Sequence, residues 1–179
     1  MATHYFFGIH VPEKTRAMIL ANCELQTAIV PFKKQTHPSD YHITLKFFGQ
    51  LSDELRNELI QSASELANKI KPFMIDVEGI ETFGLRNAPR VLYVETKLNQ
   101  SLAQLKTMIE DEAKRLGIAK ETRPYTPHIT VARRFNGQAF TLPETQINER
   151  LHVVDFRLYE VRPNFIPRYH TVSQFTLKG

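Results

Sequence analysis

Residues 42–45 read His-Ile-Thr-Leu, and residues 128–131 read His-Ile-Thr-Val. In both segments a histidine and a threonine are each followed by an apolar residue, and each segment opens an apolar run that is typical of a β-strand. Because side chains alternate between the two faces of a strand, the histidine and the threonine of each segment share one face. The apolar residues point to the other face, toward a core. The chain is therefore predicted to contain two strands that each present an imidazole and a hydroxyl.

The rest of the chain surrounds these two strands with helices and further strands. Apolar residues at helical spacing predict helices, and short β-branched or aromatic runs predict strands. The predicted strands are 5–11, 41–49, 73–80, 90–96, 128–135, 151–161 and 169–177, the predicted helices are 13–29, 53–70 and 100–116, and residues 31–40 and 81–89 are predicted as a loop and a turn region. The connections, some helical and some hairpins, predict an α+β protein.

The two motifs lie about half of the 179-residue chain apart. This spacing indicates an internal duplication, in which two similar lobes each offer one histidine and one threonine to a shared cleft. We expect residues 1–179 to form a single domain made of these two intertwined lobes, since a chain of this length normally folds as one domain.

Composition narrows the class of protein. The net charge is +4, from 23 Lys and Arg against 19 Asp and Glu, which is compatible with an anionic substrate. Cys23 is the single cysteine, so no internal disulfide can form and a reducing, cytoplasmic location is expected. The first residues show no basic stretch followed by an apolar one, and no apolar run approaches the roughly 18 residues of a membrane span. We therefore expect no signal peptide and no membrane partner.

The motifs and their neighbours resemble the 2H phosphoesterases, and among them the RNA 2′,3′-cyclic phosphodiesterases, also called 2′-5′ RNA ligases. The similarity lies in residues 5–12 (Tyr-Phe-Phe-Gly-Ile-His-Val-Pro), 42–49 (His-Ile-Thr-Leu-Lys-Phe-Phe-Gly) and 127–133 (Pro-His-Ile-Thr-Val-Ala-Arg). The order of the motifs extends the resemblance over nearly the whole chain. It implies a fold of two pseudo-symmetric lobes of antiparallel sheet plus helices around a central cleft. It also implies a hydrolase that converts the 2′,3′-cyclic phosphate ends of RNA to 2′-phosphates, with reverse 2′-5′ joining in some members.

Two histidines on opposite lobes can open a cyclic phosphodiester without a metal. One takes a proton from water, and the other gives a proton to the leaving ribose oxygen on the far side of phosphorus. The resemblance assigns His42 as the proton donor and His128 as the proton acceptor, whereas the residues alone leave this order open. The hydroxyls of Thr44 and Thr130 are predicted to donate hydrogen bonds to the non-bridging oxygens. Two histidines lack a third ligand at usable spacing, so no metal site and no cofactor are predicted.

Four further residues are predicted to bind substrate. Strict alternation places Lys46 on the face of His42, and Arg134 on the face of His128. Arg133 matches the arginine that commonly follows the second motif in the family, although alternation turns it to the opposite face unless a bulge intervenes. Tyr125, just before the second motif, is predicted to stack on a base.

Two other functions fit the same sequence. One is a related phosphodiesterase that acts on small nucleotides, such as an ADP-ribose cyclic phosphate or 2′-5′ oligoadenylates. The other is a non-catalytic RNA-binding protein, against which the two intact motifs argue because a binder needs no proton donor. The expected partner is RNA or an oligonucleotide with a 2′,3′-cyclic phosphate end, such as a tRNA fragment, and no obligate protein partner is inferred.

Overall fold

A computed structural model describes residues 3–27, 32–85, 87–138, 142 and 147–179. Over these residues it contains three α-helices and nine β-strands, so the predicted α+β class is confirmed. The strands are β1 (His4–His10), β2 (Phe32–Gln35), β3 (His42–Gly49), β4 (Phe73–Leu85), β5 (Ala88–Thr96), β6 (His128–Phe135), β7 (Glu149–Val153), β8 (Asp155–Val161) and β9 (Tyr169–Thr176), and the helices are α1 (Glu13–Thr27), α2 (Asp53–Ala67) and α3 (Gln100–Arg115).

Side-chain caps define where two of the helices begin. The Ser52 hydroxyl accepts a hydrogen bond from the Leu55 amide at 3.2 Å, and the Asn99 side chain accepts one from the Leu102 amide at 2.9 Å. Each cap satisfies an amide that the first turn of a helix leaves unpaired. Just beyond α3, Gly117 has a φ of +80°, which glycine adopts without steric cost.

The sheet has the strand order β7-β4-β5-β6-β3-β1-β8-β9, and every pairing is antiparallel. The two motif strands lie at its centre, where β3 and β6 share the single pair Ile43–Ile129. These two isoleucines occupy the same position in the two motifs. The order is also symmetric about this pair, because β1 flanks β3 as β5 flanks β6. The two motifs therefore occupy equivalent positions on either side of the centre of the sheet.

The segment predicted as a loop over residues 31–40 contains a strand, and that prediction is wrong for residues 32–35. Strand β2 pairs with β6 along the edge that β3 leaves after its single pair, with Phe32 opposite Phe135 and Lys34 opposite Arg133. The sequence Phe-Lys-Lys-Gln has no apolar alternation, so the strand is formed by pairing with a neighbour rather than by burial of its own side chains.

The single strand predicted over residues 151–161 is also wrong, because the chain divides there into two strands in opposite halves of the sheet. Strand β7 pairs with β4, whereas β8 pairs with β1 and β9. The break falls at Val154, which is exposed. Apolar residues continue on both sides of the break, so periodicity does not reveal that the chain changes partners.

The turn region predicted over residues 81–89 is shorter than expected. Strand β4 continues to Leu85, and its pairs with β5 extend to Leu85 opposite Ala88. The cross-strand contact of Phe83 with Tyr93, with ring centroids 4.1 Å apart, favours this extension.

The core lies on the side of the central strands that faces away from the motif histidines. Ile43, Leu45 and Ile129 are almost fully buried there, and they belong to one apolar cluster with residues of α2 and α3 such as Leu59 and Leu105. No helix in the described part of the chain combines the length and the apolarity that a membrane span requires.

Candidate active site

The register of β3 and β6 brings the two motifs together. Since Ile43 and Ile129 are paired and point into the core, the residues on either side of each isoleucine face the opposite way. The antiparallel direction places the histidine of each motif toward the threonine of the other. The structure therefore gathers His42, Thr44, His128 and Thr130 on one face at the centre of the sheet, which we call the motif face.

Hydrogen bonds fix the orientation of the His42 ring. Its Nδ1 lies 2.7 Å from the carbonyl oxygen of Asp40, and a carbonyl only accepts, so Nδ1 carries the proton. Nε2 is then an acceptor, and the Thr44 hydroxyl donates to it at 3.0 Å. Thr44 thus holds the unprotonated nitrogen on the motif face.

His128 is held in the same way. Its Nδ1 donates to the carbonyl oxygen of Thr126 at 2.8 Å, which is again the residue two positions before the histidine. Nε2 of His128 is therefore left unprotonated, as in His42. The repeated contact gives both motifs the same tautomer, and each ring keeps one basic nitrogen for chemistry.

Both imidazoles are harder to protonate than free histidine. The pKa of His42 is lowered to about 4, chiefly by burial, which the Asp40 carbonyl opposes and to which the charges of Arg133 and His128 add. Burial and the charge of Arg133 also lower the pKa of His128, against the opposing effect of the Thr126 carbonyl. Both histidines are consequently neutral at pH 7 when no anion is bound.

Aromatic rings that the sequence analysis did not single out surround both histidines. Phe6, Tyr159 and Tyr169 pack around His42 with centroid distances of 4.7, 6.1 and 4.9 Å. Phe83 and Tyr93 pack against His128 at 4.9 and 5.3 Å. These contacts restrict the rotation of each imidazole. Phe6 and Tyr93 are on strands that flank the motif strands, so a predicted strand order would have identified them.

Gly8 on β1 makes room for the His42 ring. A Cβ at this position would lie 3.2 Å from the carbonyl oxygen of Ile43 and 3.4 Å from a carbon of the His42 ring. Both distances are tight for a Cβ atom, so any larger residue would press on the imidazole or on the motif strand. Glycine is needed here for close approach rather than for an unusual φ.

A bulge in β6 decides the position of Arg133. Thr130 lies opposite Tyr93 while Ala132 lies opposite Leu92, so one extra residue is inserted between them. The insertion reverses the alternation that would have turned Arg133 away, and Arg133 contributes to the lowered pKa of both motif histidines. Arg133 therefore lies on the side of the motif histidines, where it lines a pocket together with Tyr169.

Arg134 does not follow the alternation on which its prediction was based. It has a φ of 61° and is exposed. Together with Arg133 it lines a pocket of about 470 Å³ that also includes Asp40 and Tyr169, which both contact His42. Arg134 therefore lies beside the motif face, in the adjoining pocket.

The prediction that Lys46 shares the face of His42 is wrong. A bulge in β3 places Phe7 opposite Lys46 and Gly8 opposite Thr44, so the extra residue turns Lys46 to the core side. Lys46 is 3% exposed and forms an ion pair with Glu110 at 2.7 Å. It stabilises the packing of α3 on β3 and does not reach the motif face.

The position of Tyr125 also contradicts its prediction as a base-stacking residue. Its hydroxyl donates to the carbonyl oxygen of Thr44 at 3.0 Å, and Lys106 lies over its ring at 5.1 Å from the centroid. Burial, with the charge of Glu121, raises the pKa of this phenol. Tyr125 thus links the segment before the second motif to the backbone of the first motif.

The site contains the groups that phosphate chemistry needs. Two imidazoles with basic Nε2 atoms can exchange protons with a substrate, and two hydroxyls and one guanidinium can bind its oxygens. Within the described ranges, no three side chains of histidine, cysteine, aspartate or glutamate come close enough to form a metal site.

The whole chain is similar in sequence and in fold to proteins of one known family. Residues 24–162 match the family model of the 2′-5′ RNA ligase superfamily. The RNA 2′,3′-cyclic phosphodiesterase of Bacillus subtilis (strain 168) is 35% identical over 181 residues, which cover 97% of this chain and 96% of the relative. The crystal structure of TT0787 of Thermus thermophilus superposes with a TM-score of 0.82 at 26% identity, covering 98% of both chains. The structure of E. coli LigT complexed with 3′-AMP superposes with a TM-score of 0.78 at 26% identity, covering 100% of both.

Proposed function

Because the chain belongs to the 2′-5′ RNA ligase superfamily, we propose that it is an RNA 2′,3′-cyclic phosphodiesterase, a hydrolase that converts a 2′,3′-cyclic phosphate end of RNA to a 2′-phosphate. The observation that carries the proposal is the pairing of two identical motifs across Ile43 and Ile129, which sets two imidazoles of the same tautomer on one face. Hydrolysis of a phosphodiester needs one proton acceptor and one proton donor, and the two motifs supply one each.

We propose that His128 is the proton acceptor and His42 the proton donor, as the resemblance implies. Nε2 of His128 takes a proton from water as its oxygen attacks phosphorus. The bond from phosphorus to the ribose 3′-oxygen breaks, and that oxygen receives the proton of the His42 imidazolium, which leaves a 2′-phosphate. A donor with a lowered pKa releases its proton readily, although only a small fraction of it is protonated at neutral pH.

The other residues of the site would act on the phosphate oxygens. Thr130 would donate a hydrogen bond to a non-bridging oxygen, Thr44 would do so once protonation of His42 Nε2 releases its hydroxyl, and Arg133 would balance the charge of these oxygens. Binding of the anion would also raise the pKa of the neighbouring histidines, which favours the protonated donor once substrate is present. With the 5′-hydroxyl of a second RNA attacking phosphorus in place of water, the same groups in the same roles would join two ends through a 2′-5′ linkage, and the 3′-oxygen would again leave with the proton of His42.

The natural substrates that we propose are cyclic-phosphate ends such as those of tRNA fragments. The single cysteine, Cys23, fits a reducing compartment, and we propose a cytoplasmic location.

Incubation of an oligonucleotide with a 2′,3′-cyclic phosphate end, in the presence of EDTA, tests the function. We expect full conversion to the 2′-phosphate, because proton transfer by two histidines requires no metal. Product identity is read by chromatography against 2′- and 3′-phosphate standards. A 3′-phosphate product would contradict the direction of ring opening, and activity that is lost in EDTA and restored by a divalent metal would contradict the mechanism.

The rate should depend on pH in a way that follows from the lowered pKa values. The acceptor must be neutral and the donor protonated, so kcat/KM should fall on both sides of an optimum. Since the pKa of both histidines lies below the ordinary 6.5 in the free enzyme, that optimum is expected below pH 6.5. The optimum of kcat is expected at higher pH, because bound phosphate raises the pKa of both histidines. Initial rates between pH 4 and pH 9 measure this, and a flat kcat/KM profile or an optimum above pH 7 would contradict it.

A further inference from the structure

A cationic pocket adjoins the motif face. Its volume is about 470 Å³, and four of its lining residues are the cations Lys34, Arg133, Arg134 and Arg168. They come from three separate parts of the chain, namely β2, the end of β6 and the segment before β9. Such a concentration of positive charge beside a site for phosphate chemistry indicates that a second anion binds here.

The four cations repel each other, and the protein does little to neutralise them. Lys34 and Arg133 lie directly opposite each other on β2 and β6, an arrangement of like charges that destabilises a sheet. The charges of Arg168, Arg134 and Arg133 lower the pKa of Lys34. Among the residues that the structure describes, none of the four cations forms an ion pair with a carboxylate.

The carboxylate in the pocket lining is already engaged. Asp40 is 6% exposed, and its Oδ1 accepts hydrogen bonds from the backbone amides of Arg168 at 2.7 Å and Tyr169 at 3.0 Å. These bonds hold the segment before β9 against the motif face and leave the Arg168 side chain available for another partner. Nε of Arg168 is buried and has no hydrogen-bond partner within the described part of the chain. A bound anion would satisfy this donor.

The pocket is separated from His42 by a single ring. Tyr169 lines the pocket and also packs against His42 at 4.9 Å, and Arg133 lines it while acting on both motif histidines. A polynucleotide whose terminal phosphate lies between the histidines would therefore bring its next phosphate toward the other three cations. In RNA that phosphate joins the 5′-oxygen of the terminal ribose to the preceding nucleotide.

Phe165 adds an aromatic surface to the wall of the pocket. It is 58% exposed, and its ring is held by the edge of His170 at 5.8 Å and by the Arg162 guanidinium at 6.0 Å. An exposed aromatic residue beside a row of cations is typical of sites that bind single-stranded nucleic acid, in which cations contact the backbone and rings stack on bases.

We propose that Lys34, Arg134 and Arg168 form a subsite for the 5′-phosphate of the terminal nucleotide, and that Phe165 stacks on the preceding base. The enzyme would then prefer oligonucleotide ends to isolated nucleoside 2′,3′-cyclic phosphates. This inference rests on the proposed function, since it identifies the substrate by the nucleotide that precedes the cyclic phosphate.

Three substrates with one base test the subsite: adenosine 2′,3′-cyclic phosphate, its 5′-phosphorylated form, and the ApA dinucleotide with a 2′,3′-cyclic phosphate. The wild-type enzyme should hydrolyse the second and third with a kcat/KM at least about tenfold above the first, as expected for charge-assisted contacts to one phosphate. In the double variant K34A/R168A the ratio of the second substrate to the first should fall close to one. In F165A the kcat/KM of the dinucleotide relative to that of the second substrate should fall by about tenfold, the effect of losing one stacked base. The ratio of the second substrate to the first should not change.

The variant K71A/K114A is the matched control. It also removes two positive charges, here from exposed lysines in the chain after α2 and in α3, on the helical side of the molecule. Its substrate ratios should equal those of the wild type. Equal kcat/KM for the first two wild-type substrates would overturn the subsite, as would a ratio unchanged in K34A/R168A.

A binding measurement separates failure of the subsite from failure of the proposed function. By calorimetry, adenosine 2′,5′-bisphosphate should bind wild-type protein about tenfold more tightly than adenosine 2′-monophosphate, and K34A/R168A should abolish the difference. If none of the three cyclic substrates is hydrolysed but this difference is found, the proposed function is wrong and the anion subsite stands. If hydrolysis occurs and the difference is absent, the subsite is wrong and the function stands.

Discussion

Replacing His42 or His128 with alanine is expected to lower kcat on a cyclic-phosphate oligonucleotide by about 10²–10⁴-fold for each residue. Each change removes the only basic nitrogen that its motif presents, while the neighbouring Thr44 or Thr130 cannot transfer a proton at neutral pH. The double variant should be little worse than the poorer single variant, because a proton donor and a proton acceptor that act in one step do not contribute independently. Single-turnover rates measure the effect.

His152 provides the control for these substitutions. It is an exposed histidine on β7, at the edge of the sheet, so H152A should retain full turnover. Near-full activity of either H42A or H128A would show that the reaction does not depend on the motif in question. Thermal unfolding of each variant shows whether a loss of activity comes from the chemistry or from the fold.

A modified substrate would assign the two histidines to their roles. When sulfur replaces the leaving 3′-oxygen, the leaving group departs as a thiolate and needs no proton. The proton donor is then dispensable, whereas the proton acceptor is still required. If His42 is the donor, H42A should recover most of its activity on this substrate and H128A should not. The reverse pattern would exchange the two roles without changing the site.

The residues of the site that could be predicted from the sequence are those that obey local alternation. His42 and Thr44 lie two positions apart before the bulge of β3, and His128 and Thr130 lie two positions apart before the bulge of β6, so the period of two places each pair correctly. The bulges follow directly, and beyond them the same rule fails for Lys46. A bulge has no marker in the sequence here, because neither segment contains a glycine or proline at the inserted residue.

The parts of the site that depend on distant contacts could not be predicted. Arg168 joins the pocket because its amide binds Asp40, which is 128 positions away in the chain, and Lys34 joins it because β2 pairs with β6. Neither contact follows from the pattern of the residues around it. The same reason explains the division at Val154, where the chain changes pairing partners although apolar residues continue on both sides.

A buried ionic network lies on the core side of β3, the first motif strand. Lys46 and Lys106 both donate to Glu110, and Lys106 also pairs with Glu121 at 3.3 Å. Burial alone would raise the pKa of Glu110, but the hydrogen bonds from Lys106 and Lys46 lower it below the ordinary value. Lys46 lies two positions after Thr44 in β3, and Glu110 lies in α3. The network therefore fixes the position of β3 relative to α3. Glu110 is the carboxylate that the two lysines share, so the loss of its charge would affect both of them.

Replacing Glu110 with glutamine is therefore expected to destabilise the protein by about 3–5 kcal/mol, the usual effect of leaving a buried charge without its partner. For a chain of this size the change corresponds to a fall in Tm of about 6–20 °C. E112Q is the matched control on the same helix, because Glu112 pairs with Arg115 at the surface and such pairs contribute about 0–1 kcal/mol. Adding K46M to E110Q should recover part of the lost stability, since Lys46 is the more deeply buried of the two lysines and Lys106 keeps Glu121 as a partner. Denaturant and thermal unfolding measure all three variants. A loss for E110Q no larger than that for E112Q would show that the Ala119 carbonyl, to which Lys46 also donates at 3.0 Å, or solvent is sufficient for the charge of Lys46, and that the network does not hold the motif strand in place.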